Sequence, residues 1–90
     1  MMTKQFFIYG RVQGVGFRYF TWKEAKKLGI KGSVRNRTDG SVEATAQGSE
    51  EQLEAFEQWL KLGPRTAKVE RVMINIHKEI SVEDFSVIHG

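Results

Sequence analysis

The sequence predicts an α+β fold, with two helices on one face of an antiparallel sheet of four to five strands. Three observations lead there. Apolar and polar residues alternate in four separate segments, the period of a strand with one face buried. Two other segments repeat their apolar residues every three or four positions, the period of a helix packed by one side. The elements follow the order strand, helix, strand, strand, helix, strand, and right-handed crossovers in that order bring both helices to the same face.

The first strand runs from Lys4 to Val12, with Phe6, Ile8 and Val12 on one face and Phe7, Tyr9 and Arg11 on the other. A turn holding two glycines follows, Gln13-Gly14-Val15-Gly16. Phe17 to Leu28 is helical, with Phe17, Phe20, Thr21, Ala25 and Leu28 on one side, and Gly29 stops the helix. Ile30 to Asn36 alternates again, and Ile30, Gly32, Val34 and Asn36 share a face. The Asp-Gly pair in Thr38-Asp39-Gly40 marks a hairpin, with Val42, Ala44 and Ala46 on the returning strand. Ser49 caps the second helix and Gln52 completes a capping box, while Glu50 and Glu51 suit the positive end of the helix dipole. Leu53, Phe56 and Leu60 form its buried stripe with Trp59 at the flank, and Gly63-Pro64 ends it. Val72, Ile74 and Ile76 alternate as a fourth strand, and Phe85 and Val87 suggest a short fifth. Residues 1–90 thus read as one domain, a ferredoxin-like βαββαβ sandwich. That fold hosts unrelated functions and leaves the chemistry open.

Composition narrows the chemistry. The chain has 90 residues, is 40% apolar, and mixes both charge signs, so it can bury one core without staples. It has no cysteine, which excludes disulfides, Cys-ligated metal centres and thiol nucleophiles. His77 and His89 are too few and too badly spaced for a His-based metal site, and neither a metal nor a cofactor is expected. The opening MMTKQFFIYG is too short in apolar run for a signal peptide or a membrane span, so a soluble, cytoplasmic monomer without membrane contact is expected.

Net charge is +3, unevenly spread. Residues 1–40 carry nine Lys/Arg against Glu24 and Asp39, whereas residues 41–90 carry five against nine acidic residues. An anionic ligand is therefore expected in the first half, although most single lysines there are ordinary solvated surface.

The segment Gly10 to Arg18, GRVQGVGFR, carries the chemistry. Gly14 and Gly16 can take positive φ and leave no Cβ in the way of a ligand. Amides in such a turn and at the start of the next helix can converge on an anion, and Arg18 adds a permanently charged fork suited to phosphate oxygens. The simpler reading is a tight turn alone. A P-loop is ruled out, since no Lys-Ser/Thr pair follows Gly16, and the dinucleotide fingerprint lacks its third glycine at Tyr19. Read from its neighbours, Asn36 before the hairpin is a turn residue, and Arg35 and Arg37 are solvated or local contributors to the field.

GRVQGVGFR, followed by GSVRNRTDGSVE (Gly32 to Glu43) and GPRTAKVERV (Gly63 to Val72), resembles the acylphosphatase family over nearly the whole chain. The resemblance implies a small ferredoxin-like enzyme that hydrolyses the carboxyl-phosphate bond of acyl phosphates, giving a carboxylate and inorganic phosphate, without metal or cofactor. It implies that Gln13, Gly14, Val15, Gly16, Phe17 and Arg18 form the phosphate-binding loop, that Arg18 is the essential phosphate ligand, and that Asn36 positions the attacking water. The residue chemistry agrees, because a carboxylate leaving group, with a conjugate-acid pKa of about 4, needs no strong general acid. The sequence departs from the family pattern at Ser33, where a tryptophan is common, and at the Ile88-His89-Gly90 ending. Tyr19 and Trp22 lie off the buried stripe and read as surface aromatics within reach of an acyl group.

The rival reading is a non-catalytic anion- or RNA-binding module of the same fold. Phe7 and Tyr9 on the first strand would then stack bases. Against it, the third strand has no aromatic and presents Glu43, so no nucleic-acid partner is expected.

Overall fold

The computed structural model describes residues 1–89, so Gly90 at the end of the expected domain lies outside the described residues. The elements are β1 (Met2–Arg11), α1 (Phe17–Leu28), β2 (Lys31–Asn36), β3 (Val42–Gly48), α2 (Glu50–Leu62), β4 (Lys68–His77) and β5 (Phe85–Ile88). They form one sheet in the order β4-β1-β3-β2-β5. The architecture is the expected ferredoxin-like α+β sandwich.

Neighbours in the first four strands are antiparallel, with Phe6 opposite Ala44 on one side and Ile74 on the other. β5 differs from the antiparallel expectation. It pairs parallel to β2, Gly32 opposite Phe85 and Val34 opposite Val87, so the sheet is mixed. The cause is topological. β4 lies on one edge of the sheet and runs against β1, so the chain that crosses to the far edge and reverses once must run along β2.

The buried face follows the alternation read from the sequence. Phe6, Ile8, Val34, Val42, Ala44 and Ala46 are fully covered. From α1 come Phe17, Thr21 and Ala25, and from α2 Leu53, Phe56 and Leu60. Phe56 sits at the centre, meeting Phe6 edge-on at 5.6 Å and Phe85 at 6.0 Å between ring centroids. Edge-to-face contact suits the ring quadrupoles and adds to the burial of apolar area. Both halves of the Ser49–Gln52 capping box form.

Two expected core residues are not covered. Phe20 is 37% exposed, because α1 packs over β2 and β5 and turns Trp22 rather than Phe20 toward the core. Ile76 is 75% exposed near the end of the edge strand β4, whereas Val72 and Ile74 pack against the core. Ser33 lies on the opposite parity from the buried Val34, so its departure from the family pattern leaves the core untouched.

Near the end of β1 a bulge between Tyr9 and Gly10 shifts the register with β4. Gly10 has φ +132°, and a Cβ there would collide with the backbone carbonyl of Lys68. The bulge bends the strand where it leaves the sheet and delivers the chain to the loop before α1.

Candidate active site

The loop Gln13–Gly16 joins the end of β1 to the start of α1, and its shape depends on Gly14 and Gly16, at φ +74° and +77°. Gly16 is the N-cap of α1 in the left-handed conformation. It gives no side-chain cap, and no acidic residue occupies the first turn. The first backbone bond of the helix runs from the Phe20 amide to the Gly16 carbonyl at 3.1 Å. The amides of Phe17, Arg18 and Tyr19 precede that bond, at the end where the helix dipole is positive. α2 begins differently, with its cap filled by Ser49 and its first turn carrying Glu50 and Glu51.

Gly14, Gly16, Phe17, Arg18 and Asn36 line one open cavity of about 500 Å³. Arg18 is half-buried and donates from Nη1 to the Ile88 carbonyl at 3.0 Å, which braces the side chain against β5 and, among the described residues, leaves its other donors without a partner. Asn36 ends β2 opposite Val42, on the same parity as Val34, which sends its side chain to the helix side of the sheet.

The hairpin beside Asn36 is held by other residues. Arg37 donates its amide to the Ser41 carbonyl at 2.8 Å, and the Asp39 carboxylate accepts from the Ser41 amide at 2.9 Å and from its hydroxyl. These Ser41 donors hold the Asp39 carboxyl below its ordinary value of 3.8, the hydroxyl contributing most. The turn therefore does not depend on Asn36.

Gln13 and Val15 do not line the cavity. The Gln13 side chain donates to the carbonyls of Arg37 and Ser41, at 2.8 Å each, and fastens the loop to the β2–β3 hairpin. Val15 packs its side chain against the core while its carbonyl accepts from the Thr66 hydroxyl at 2.6 Å. Arg35 and Arg37 are engaged elsewhere. Arg35 pairs with Glu43 at 3.0 Å, and Arg37 reaches Asp39 at 3.4 Å and Glu43 at 3.8 Å.

The structure adds residues that sequence spacing set aside. Val87 and His89 line the cavity, carried there by β5. The signal lay in the parity of Phe85, Val87 and His89, which continues the buried face of a strand. Tyr19 and Trp22 complete the apolar side, their rings 6.1 Å apart between centroids, with Tyr19 53% exposed and Trp22 packed against the core. Among the described residues no three His, Asp or Glu side chains gather to hold a metal ion, and no helix is long and apolar enough to cross a membrane.

The cavity is lined by a glycine turn at a helix start, a guanidinium and a carboxamide together with the apolar side chains of Val12, Trp22 and Val87, a lining that suits a phosphoryl group attached to an organic acid. Comparison with known proteins agrees. The acylphosphatase family model matches residues 4–87. An acylphosphatase of Pasteurella multocida (strain Pm70) is 57% identical over 88 residues, covering 97% of this chain and 98% of the relative. One from Thermococcus kodakarensis is 48% identical over 81 residues, 90% of this chain and 89% of the relative. The crystal structure of an acylphosphatase from Bacillus subtilis superposes with a TM-score of 0.94 at 38% identity, covering 99% of this chain and 100% of that one. The chain belongs to the acylphosphatase family and is a hydrolase of that kind.

Proposed function

We propose that the cavity beside α1 hydrolyses the carboxyl-phosphate bond of acyl phosphates by direct attack of water on phosphorus. The observation that carries this reading is that Arg18, the Gly14–Gly16 turn and Asn36 meet in one cavity, although β2 and the loop are separated by a whole helix.

Arg18 and the loop amides hold the phosphoryl oxygens and offset their charge as it redistributes in the transition state. Asn36 accepts a hydrogen bond from water through its carboxamide oxygen and aims that water in line with the departing carboxylate. The water oxygen bonds to phosphorus, and the bond from phosphorus to the acyl oxygen breaks. The electron pair leaves with the carboxylate, and the water's proton passes to a phosphoryl oxygen. A carboxylate leaves without protonation because its conjugate acid has a pKa of about 4. The reaction then runs without a metal ion, in a monomer, on a small soluble substrate.

The rival use of the sheet's open face is not favoured. The ring of Phe7 is covered by the Arg37 guanidinium at 4.8 Å and that of Tyr9 by Arg71 at 4.7 Å, so neither offers a bare stacking surface.

The test is hydrolysis of benzoyl phosphate by the purified protein beside p-nitrophenyl phosphate, with and without EDTA. Rapid turnover of the first alone, unchanged by chelator, is expected. Equal turnover of the phosphomonoester, or loss of activity in EDTA, would overturn the mechanism.

A further inference from the structure

We infer that Thr66 is a positioning residue for the phosphate-binding loop, an inference that rests on the loop amides binding the phosphoryl group. Thr66 lies outside the cavity, on the turn between α2 and β4, which closes with the Ala67 amide on the Pro64 carbonyl at 3.0 Å. Its hydroxyl donates to the Val15 carbonyl at 2.6 Å, across 51 residues of sequence.

The consequence follows from the geometry of a peptide unit. In a trans peptide the C=O and the following N–H point in opposite directions, and the described residues hold no cis bond. Holding the Val15 oxygen toward Thr66 therefore aims the Gly16 N–H the other way. Gly16 lines the cavity, whereas Val15 does not.

The loop needs such a hold from outside. Gly16 sits at φ +77°, but a glycine adopts either sign of φ readily, so the Val15–Gly16 peptide can rotate about its flanking bonds at little energetic expense. A rotated unit would present a carbonyl oxygen to the phosphoryl group in place of a donor. Among the described residues neither the Val15 carbonyl nor the Gly16 amide takes a backbone hydrogen bond that would hold the unit in place. The Thr66 hydroxyl sets the orientation from a separate turn. Thr66 is itself exposed, so removing the hydroxyl takes little from the core.

The experiment compares wild type, Thr66→Val and Thr66→Ser. Valine keeps the branched shape without the donor, and serine keeps the donor. Thr66→Val is expected to weaken inhibition by inorganic phosphate and lower kcat/KM by about tenfold, the scale of one lost charge-linked hydrogen bond, with Tm little changed. Thr66→Ser is expected to restore both. The Gly16 amide resonance, followed by NMR during phosphate titration, should move strongly in wild type and Thr66→Ser and weakly in Thr66→Val. If Thr66→Val binds phosphate and shifts Gly16 as wild type does, the inference about Thr66 is overturned while the loop reading stands. An unmoved Gly16 resonance in wild type overturns the loop reading and the Thr66 role together. Should Thr66→Val fail to fold, Thr66→Ala carries the same comparison.

Discussion

Replacing Arg18 by glutamine removes the guanidinium from the cavity and leaves a shorter, uncharged polar chain. The loss can be sized from the setting. Arg18 is half-buried, so a charge contact with a phosphoryl oxygen at about 4 Å works in an effective dielectric near 20 and contributes about 4 kcal/mol. At about 1.4 kcal/mol per decade, kcat/KM for benzoyl phosphate should fall on the order of 10³-fold. Inhibition by inorganic phosphate should weaken with it, since the same fork holds the product. The fold should persist, because among the described residues the only hydrogen bond given up is the exposed one from Nη1 to the Ile88 carbonyl. The assay is steady-state hydrolysis with phosphate as inhibitor, beside a thermal melt. Arg18→Lys belongs in the series, since it keeps the charge but loses the planar fork and should fall between the two. A kcat/KM for Arg18→Gln within about tenfold of wild type, with the melt unchanged, would refute the reasoning.

Further expectations concern water, core and turn. Asn36→Ala should lower kcat by on the order of 10²-fold while phosphate inhibits as before; an unchanged kcat would return Asn36 to the role of a strand-end residue. Phe56→Ala should destabilise the fold by about 3–5 kcal/mol in denaturant melts, since its ring meets both Phe6 and Phe85 at the centre of the core. A loss below about 1 kcal/mol would mean the cavity collapses. Asp39 has a folded pKa below its ordinary value of 3.8, so its stabilisation is complete above that value and is lost as pH falls through the folded pKa. Between about pH 5 and pH 3 wild type should therefore lose more Tm than Asp39→Asn, and parallel curves would show that the Ser41 contacts contribute nothing.

Much of the fold was legible because it rests on local rules. The Ser49–Gln52 capping box needs only residues three apart, and the Phe17–Leu28 helix needs only its own period and the glycine after it. Where tertiary packing chooses between neighbouring faces, local rules fall short. The period of α1 puts Phe20 on the buried stripe and Trp22 off it, and the packing of the helix over β2 and β5 turns Trp22 inward instead. Ile76 has strand parity but lies too near the end of an edge strand to be covered.

The site divides the same way. The expectation of an anion near Gly14, Gly16 and Arg18 comes from residue chemistry: glycines free to take positive φ, amides at a helix start and a permanent cation. Asn36 was assigned through family resemblance, since its neighbours alone describe a turn residue. The parity of Phe85, Val87 and His89 gives their face, but their place at the cavity is fixed by the pairing of β5 with β2, and the Thr66 brace by a turn distant in sequence. The chain by itself thus determined its elements and its core parity and pointed to an anionic ligand, because these readings depend on side-chain type at short spacing. Tertiary structure alone decided which distant groups share the cavity, because that is set by how the sheet is ordered and which edge receives the last strand.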